Sequence, residues 1–297
     1  MADISSQIEI ARRVVVETAH DFHFRAVTED GRQIEAPIVY QIEEPGFRPY
    51  RAGKASAEEL QAELDRIIGL ADQRGVNMGI EGIDSVRKLA SQMGYGVDCS
   101  NFAFRTLDRI HDTMGLQPYT QTVFRLASEI RELHATKKPS WDAKDKNGNT
   151  RNLTDEELAK LESSDLLDID WITEVFGKDP EFIIGSAHMT DDHATEQVEP
   201  TEVLPGDLIA FTKAGAGVVS HVCVVEQAEV SDKTAHIDFW HSWHTRDFES
   251  GIRRDSVTVE ADLTMRWSHE GLEDPKRYEG YSFRRPAEIA VAYAHLG

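Results

Sequence analysis

The segment Tyr95–Phe102 places Cys99, one of only two cysteines in the chain, at the start of a predicted helix. Apolar residues follow at intervals of three and four, which is the spacing of a helix with one buried face. Asp98 or Ser100 can cap its first turn, and Gly115 is a typical helix end. A thiol in this position meets unpaired N–H groups and the positive end of the helix dipole, and both favour the thiolate. Cys99 is therefore suited to nucleophilic catalysis, and the competing interpretation is a small residue that packs the helix start.

A cysteine nucleophile needs a base within hydrogen-bond reach and a third group that orients the base. The chain contains 12 histidines, so position has to select among them. His221 begins a predicted strand beside a glycine-rich connection, and His241 follows the end of the next predicted strand. His236 and His244 are the alternatives to His241 as the third group. On a strand, His236 points to the opposite face from His241.

Two further groups of residues could carry other chemistry. Cys223 lies on the same strand face as the candidate base, where a packed core thiol is expected. His241 and His244 could join His188 or His193 in a metal site, but this spacing resembles no established zinc motif. The sequence therefore predicts neither a metal nor a cofactor.

The elements that must position these residues differ between the two halves of the chain. Residues 1–50 are ambiguous, with a candidate helix at 8–18 and candidate hairpin strands at 22–27 and 38–42. Capping boxes at Ser56–Glu59 and Thr154–Glu157 predict helix starts. Further predicted helices are 83–93, 117–135 and 171–176, and predicted loops are 137–152 and 188–193. From Leu204, β-branched runs predict strands at 208–211, 218–226, 235–240, 257–261 and 281–285. This order of elements predicts an α+β fold.

Charge and hydropathy exclude several classes of partner. The formal net charge of −21 would repel nucleic acid and anionic membranes. The chain has no basic start followed by an apolar run, and no stretch near the ~20 apolar residues of a membrane span. A cytoplasmic location is the default expectation, with export by a non-standard route as the alternative. The arginine doublets 253–254 and 284–285 are expected to be solvated surface pairs.

Four motifs follow one another in the chain order of a known peptidase family. They are Asp98–Ser100 at the helix start, Pro205–Leu208, Ser220–Val222 and Phe239–Ser242. In this order they resemble the NlpC family of papain-like cysteine peptidases, best known as hydrolases of bacterial cell-wall peptides. The terminal segment Phe283–Pro286 is similar to the closing strand of that family. The resemblance covers about 85–115 and 203–286.

This resemblance implies a papain-like core whose nucleophile lies at a helix start packed against an antiparallel sheet. Cys99 would be the nucleophile, His221 the general base and later the acid, and His241 the third residue. The core would comprise residues 56–116 and 203–297. Residues 1–55 would form an N-terminal extension with a candidate hairpin, and 117–202 a helical and loop insertion.

The resemblance also implies residues that contact the substrate. Asp98 and Ser100 match positions that recognise a free amine in some family members, and simple helix capping is the alternative. Tyr95 is a candidate near the oxyanion site. The chain departs from the family by lacking its Tyr-x-Trp-Gly-Gly stretch, and by having Asn101 where glycine is usual. These departures concern the substrate more than the reaction.

The predicted function is a cysteine hydrolase that cleaves an amide or isopeptide bond in a peptide through an acyl-enzyme. Acyl transfer on the same fold is one alternative, in which an amine or lipid captures the thioester. A catalytically idle scaffold is the other, and there the segment 117–202 would bind a partner protein or a second copy of the chain.

Overall fold

The computed structural model describes residues 4–27, 33–38, 40, 55–73, 87, 96–120, 122, 143–162, 169–177, 184–231, 234–243, 251–274 and 276–294. Its helices are α1 (Ile4–Asp21), α2 (Ala57–Gln73), α3 (Cys99–Met114), α4 (Asp155–Glu162), α5 (Ile169–Phe176), α6 (Ser186–Met189) and α7 (Ala287–Ala294). Its strands are β1 (His23–Val27), β2 (Gln33–Pro37), β3 (Ala143–Lys144), β4 (Thr150–Arg151), β5 (Thr195–Val198), β6 (Leu208–Lys213), β7 (Val219–Ser231), β8 (Thr234–Trp243), β9 (Gly251–Val259), β10 (Met265–Trp267) and β11 (Tyr278–Pro286). Among the described residues, no helix combines the length and the apolar character needed to cross a membrane.

Seven strands form one antiparallel sheet in the order β10-β9-β8-β7-β6-β11-β5. Helices α1 and α3 pack against β7 and against each other. Val222 and Val224 of β7 belong to the core cluster shared with these helices, whereas Cys223 and Val225 belong to a second cluster. Successive residues of a strand point to opposite faces, so the sheet separates the two clusters. The α+β class predicted from the sequence is confirmed at this level.

Helix α3 has the bounds that its capping residues predict. The Asp98 carboxylate accepts a hydrogen bond from the backbone N–H of Asn101 at 2.6 Å, as an N-cap does. Gly115 ends the helix in the left-handed region, with φ of +69°. Phe102 and Ile110 are fully buried on the face that meets the core. The predicted start and end of this helix are confirmed.

Both capping boxes are also confirmed. The Ser56 backbone N–H donates to the Glu59 carboxylate at 2.8 Å, and the Glu59 backbone N–H donates to the Ser56 hydroxyl at 3.2 Å. Thr154 and Glu157 form the same pair of bonds at the start of α4. The predicted helix at 8–18 lies within α1, and that at 171–176 within α5. Most of the helices predicted over 83–93 and 117–135 lies outside the described residues.

Several predicted boundaries are wrong. Strands β7 and β8 end at Ser231 and Trp243 rather than at 226 and 240, so His241 lies within β8 rather than after it. Strand β2 begins at Gln33 rather than 38, because His23 pairs with Pro37 in a shorter hairpin. Strand β9 begins at Gly251 rather than 257, since its polar first half pairs with β8. The predicted loop 188–193 begins inside the short helix α6.

The charged segment 137–152, predicted as a loop, contains the small hairpin β3–β4. The Asp145 carboxylate accepts the backbone N–H groups of Asn147 and Asn149, both at 2.8 Å, which closes the turn. These local hydrogen bonds stabilise the hairpin, whereas longer strands are predicted from an alternation of apolar and polar residues.

The expectation that the arginine doublets are solvated surface pairs is wrong for Arg253, Arg284 and Arg285, whereas Arg254 is exposed. Arg285 is only 12% exposed and donates twice to the buried Asp207 carboxylate, each time at 2.9 Å. The other three arginines pair with carboxylates as well: Arg253 with Asp255, Arg254 with Glu226 and Asp238, and Arg284 with Asp192. Each of these four arginines is therefore paired with at least one carboxylate.

Segments outside the predicted catalytic core contribute to the same architecture. Helix α1, from the segment 1–55, packs against α3 and β7. Strand β5, from the segment 117–202, pairs with β11 in the main sheet, and α6 contacts α3 and β7. The boundaries of the extension and the insertion stay predictions.

Candidate active site

Cys99 is the first residue of α3 and is 4% exposed. The backbone just before it is held by two elements, since Val97 forms a parallel bridge with Tyr40 and its carbonyl accepts the Ser242 hydroxyl at 2.7 Å. The Cys99 Sγ atom lies 3.7 Å from the Ser186 Oγ atom of α6. The segment 117–202 therefore borders the thiol.

Three buried side chains on neighbouring strands form a hydrogen-bonded chain. His221 Nε2 on β7 lies 2.8 Å from His241 Nδ1 on β8, and His241 Nε2 lies 2.9 Å from Asp255 Oδ2 on β9. The exposed fractions are 3% for His221, 0% for His241 and 7% for Asp255. The structure thus brings together the candidate base and the candidate third residue, and adds a carboxylate to them.

The register of the sheet explains this alignment. Strand β9 pairs with β8 so that Arg253 lies opposite His241 and Asp255 opposite Phe239. Aromatic rings fix the orientation of the candidate base: the ring centroids of Trp243 and Phe211 lie 4.9 and 5.5 Å from that of His221. These contacts limit the rotation of the imidazole.

The carboxylate determines where each proton of the chain lies. Asp255 is an acceptor, so His241 donates through its Nε2–H and keeps a lone pair on Nδ1. His221 must then donate to that lone pair through its own Nε2–H. The remaining nitrogen of His221, Nδ1, carries the lone pair that can accept a proton. Asp255 thus sets the tautomers of both imidazoles and leaves this lone pair on His221.

Burial and nearby charges keep the two histidines of this hydrogen-bonded chain neutral. Burial lowers the pKa of His221 well below its ordinary value, and repulsion from a protonated His241 and from the Arg277 guanidinium lowers it further. Burial also lowers the pKa of His241, although Asp255 opposes that shift. Burial favours protonation of Asp255, but His241 and Arg253 outweigh it, so that its pKa lies below the ordinary value. The carboxylate is therefore ionised and both imidazoles are neutral near pH 7.

The second thiol lies beside the same imidazole but on its donating side. Cys223 Sγ is 3.5 Å from His221 Nε2, the nitrogen that carries the proton. Burial, followed by the nearby Cys99 and Asp255, raises the pKa of Cys223 well above its ordinary value. Cys223 is therefore a protonated core thiol.

The three residues predicted to contact substrate have different outcomes. The Asp98 carboxylate accepts the Ser100 hydroxyl at 2.9 Å as well as the Asn101 N–H, so both residues take part in the cap. Their role towards substrate stays a prediction. Tyr95 lies outside the described residues. Tyr40 is a phenol that the sequence did not single out, and burial followed by the charge of Cys99 raises its pKa.

The rival histidines lie elsewhere or outside the described residues. His236 is on the opposite face of β8 from His241 and contacts the Thr258 hydroxyl at 3.1 Å. His188 Nδ1 accepts the Gly185 N–H, and His193 pairs with Asp191. His244 is not among the described residues. Within the described chain, neither His188 nor His193 joins His241 in a group of potential metal ligands.

Asp255 is the functional candidate that sequence reasoning missed. The sequence could have indicated it by position, because Asp255 alternates with Val257 and Val259, which are buried on the same strand. The predicted strand began at 257, so this alternation was cut off before it reached Asp255. An acid on the apolar face of a strand needs a partner, and His241 and Arg253 provide it.

No protein-family model, no curated protein and no solved structure matches the chain. The candidate site is therefore defined by its own geometry and by the order of the motifs along the sequence.

Proposed function

We propose that this protein is a cysteine hydrolase with a papain-like catalytic arrangement, which cleaves an amide or isopeptide bond in a peptide. The observation that carries the proposal is the buried chain His221–His241–Asp255, because it leaves a lone pair on His221 Nδ1. Cys99 at the start of α3 is the nucleophile served by this base. The order of motifs shared with the NlpC family supports the same assignment.

In the first step His221 Nδ1 accepts the thiol proton of Cys99, and the thiolate attacks the substrate carbonyl. The tetrahedral intermediate carries a negative oxygen that needs donors. The Asn101 and Phe102 N–H groups already donate to Asp98. The donors that we assign to the oxyanion are backbone N–H groups at the start of α3, where the positive end of the helix dipole also favours a negative oxygen.

In the second step the protonated His221 gives its proton to the leaving amine, and the carbon–nitrogen bond breaks. The acyl group remains on Cys99 as a thioester. Water then attacks the thioester while His221 again accepts a proton, and the carboxylic acid and the free thiol are released. Asp255 stabilises the positive charge that the histidine pair carries between these steps.

The test compares the wild-type protein with Cys99→Ala on a peptide library and on a peptidoglycan digest, read by mass spectrometry. The reaction is run in ¹⁸O-labelled water. We expect wild-type cleavage products with one labelled carboxyl oxygen, and no products from Cys99→Ala at an unchanged melting temperature. Incorporation of the label identifies water as the acyl acceptor and so separates hydrolysis from acyl transfer.

Cys223→Ala is the matched control, because it removes the other thiol without touching the accepting nitrogen of His221. We expect this variant to cleave the same peptides as the wild type. Full activity of Cys99→Ala, or loss of activity in Cys223→Ala alone, contradicts the assignment of Cys99. Absence of any cleavage by the folded wild-type protein favours the idle scaffold.

A further inference from the structure

The buried face of the sheet holds a set of potential metal ligands that overlaps the proposed base. His221, Cys223 and His241 each offer one ligand atom, and these atoms lie within 4.8 Å of one another. His221 Nε2 is 2.8 Å from His241 Nδ1 and 3.5 Å from Cys223 Sγ. Zinc bound at ~2.0 Å to nitrogen and ~2.3 Å to sulfur separates tetrahedral ligands by roughly 3.5 Å. The set needs only a small widening of the histidine pair to receive the ion.

The surroundings of the set match those of histidine ligands in metal sites. A metal-binding histidine commonly donates its other ring N–H to a carboxylate, which fixes the tautomer and strengthens the ligand. His241 Nε2 lies 2.9 Å from Asp255 Oδ2, and this leaves the Nδ1 lone pair pointing at His221. One sulfur and two imidazole nitrogens favour zinc over magnesium or calcium, which take oxygen ligands.

We propose that His221, Cys223 and His241 bind a zinc ion, and that the bound ion switches off the base of the hydrolase. The regulatory half of this inference rests on the proposed function, whereas binding of the ion does not. Under this proposal the protein is a thiol enzyme that zinc inhibits, rather than a metalloenzyme.

Binding requires a defined movement of protons. The ion takes the position between His221 Nε2 and His241 Nδ1, so the Nε2 proton of His221 is lost and Nδ1 takes up a proton. Cys223 binds as the thiolate and releases its proton to solvent. One proton is therefore released overall, and the fourth position of a tetrahedral ion is left for water. With Nδ1 protonated, His221 can no longer accept the proton of Cys99.

Some charges around the set of potential ligands favour binding of a zinc ion, and others oppose it. The Asp255 carboxylate and the Cys223 thiolate together balance the two charges of zinc. Arg253 pairs with Asp255, and the Arg277 guanidinium lies 4.2 Å from the centre of the Trp243 ring, beside His221. These two arginines oppose a cation. We therefore expect reversible binding rather than a permanently loaded structural site.

The test uses Co²⁺ as a spectroscopic probe of the full-length, chelator-treated protein, followed by Zn²⁺ in competition. We expect a sulfur-to-cobalt charge-transfer absorption in the wild type, which Zn²⁺ removes. Cys223→Ser should lose this absorption, whereas Cys99→Ala, the matched thiol control, should keep it. Asp255→Asn should weaken Zn²⁺ binding roughly 10- to 100-fold in titration calorimetry, because it removes the carboxylate behind His241. Zn²⁺ should inhibit peptide cleavage, and a chelator should restore it.

The outcomes separate the two proposals. Absence of the charge-transfer absorption in the wild type, or its persistence in Cys223→Ser, overturns the metal site even if Cys99-dependent cleavage is observed. Binding with the expected dependence on Cys223 supports the site even if Cys99→Ala leaves cleavage intact, in which case the proposed nucleophile is wrong. Binding without loss of cleavage overturns the regulatory role.

Discussion

At the scale of single residues, Asp255 is a positioning residue, because it acts on the candidate base through His241. Its carboxylate is held from several sides: Arg253 Nη2 donates to Oδ1 and the same guanidinium forms an ion pair with Oδ2, and Ser268 and His241 each contact one oxygen. Such a carboxylate accepts from every neighbour and donates to none. The direction of the hydrogen bonds through His241 and His221 follows from that property alone.

We therefore predict that Asp255→Asn slows the reaction without changing substrate binding. The amide can donate to His241 Nε2, which reverses both tautomers and puts the proton on His221 Nδ1. We expect kcat to fall on the order of 10³- to 10⁴-fold with KM nearly unchanged. Steady-state kinetics across pH, with melting temperatures, measure both effects. Asp262→Asn, which neutralises an exposed carboxylate after β9, is the control and should behave as the wild type. A wild-type kcat in Asp255→Asn would show that the carboxylate does not set the tautomer.

At the scale of elements, the end of β11 is joined to the turn before β6 by one buried ion pair. Asp207 accepts the Leu204 N–H at 2.8 Å and two bonds from Arg285. Burial raises the pKa of Asp207 to about 6, even though Arg285 acts in the opposite direction. The neighbouring Gly206 adopts φ of +87° and packs against Ile110 and Ile289, so the turn also touches α3 and α7.

We predict that Arg285→Met destabilises the fold by about 3–5 kcal/mol near pH 8, because it leaves the Asp207 carboxylate buried and unpaired. The loss should be smaller near pH 5, where the isolated carboxyl is protonated and no longer buries a charge. Urea unfolding at the two pH values measures this difference. Arg266→Met is the control, since Arg266 is 75% exposed and lies 3.5 Å from Glu260, and it should cause little change. Equal losses at both pH values would mean that packing, not charge, dominates the effect of Arg285→Met.

The elements that could be predicted from the sequence are those with local signals. Asp98 and Gly115 predict the two ends of helix α3, and the capping box of Ser56 and Glu59 predicts the start of α2. The start of β9 could not be predicted in the same way, because residues 251–256 gain their strand conformation from pairing with β8. Pairing between distant segments leaves no mark in the local periodicity.

At the scale of the whole molecule, the candidate site is partly predictable for the same reason. His221 and His241 could be proposed because strand alternation and motif order select them. Predicting the link to Asp255 would have required the pairing register of three strands. Predicting the group of potential metal ligands that includes Cys223 would have required the positions of its side chains in the folded sheet. The ion pair of Arg285 with Asp207 likewise joins residues far apart in sequence. Contacts of this kind follow from the assembled sheet rather than from any one segment.

The described part of the molecule contains four histidines whose pKa is lowered by burial, which makes its stability sensitive to acid. Burial is the largest cause of the lowered pKa at His23, His111, His221 and His241. In the unfolded chain these groups take up protons below a pH of about 6.5, whereas the folded chain resists. The unfolded state then binds more protons, so stability is lost as the pH falls. Asp207 acts in the opposite sense below about pH 6, but among the described residues it is one group against these four histidines.

We predict that the free energy of unfolding decreases from pH 7.5 to 5.5, measured by urea unfolding in roughly 1 M salt. The salt shortens the screening length to ~3 Å and so suppresses the repulsion from the net charge of −21, which acidification would otherwise relieve. His111→Asn tests the cause outside the candidate site. Within the described chain, His111 Nε2 is buried without a hydrogen-bond partner, so protonation there would bury an N–H that has no acceptor. Removing this imidazole should make the dependence on pH less steep while the histidine pair of the site stays intact. Stability that rises on acidification in high salt would show that the buried histidines do not dominate the response of the fold to pH.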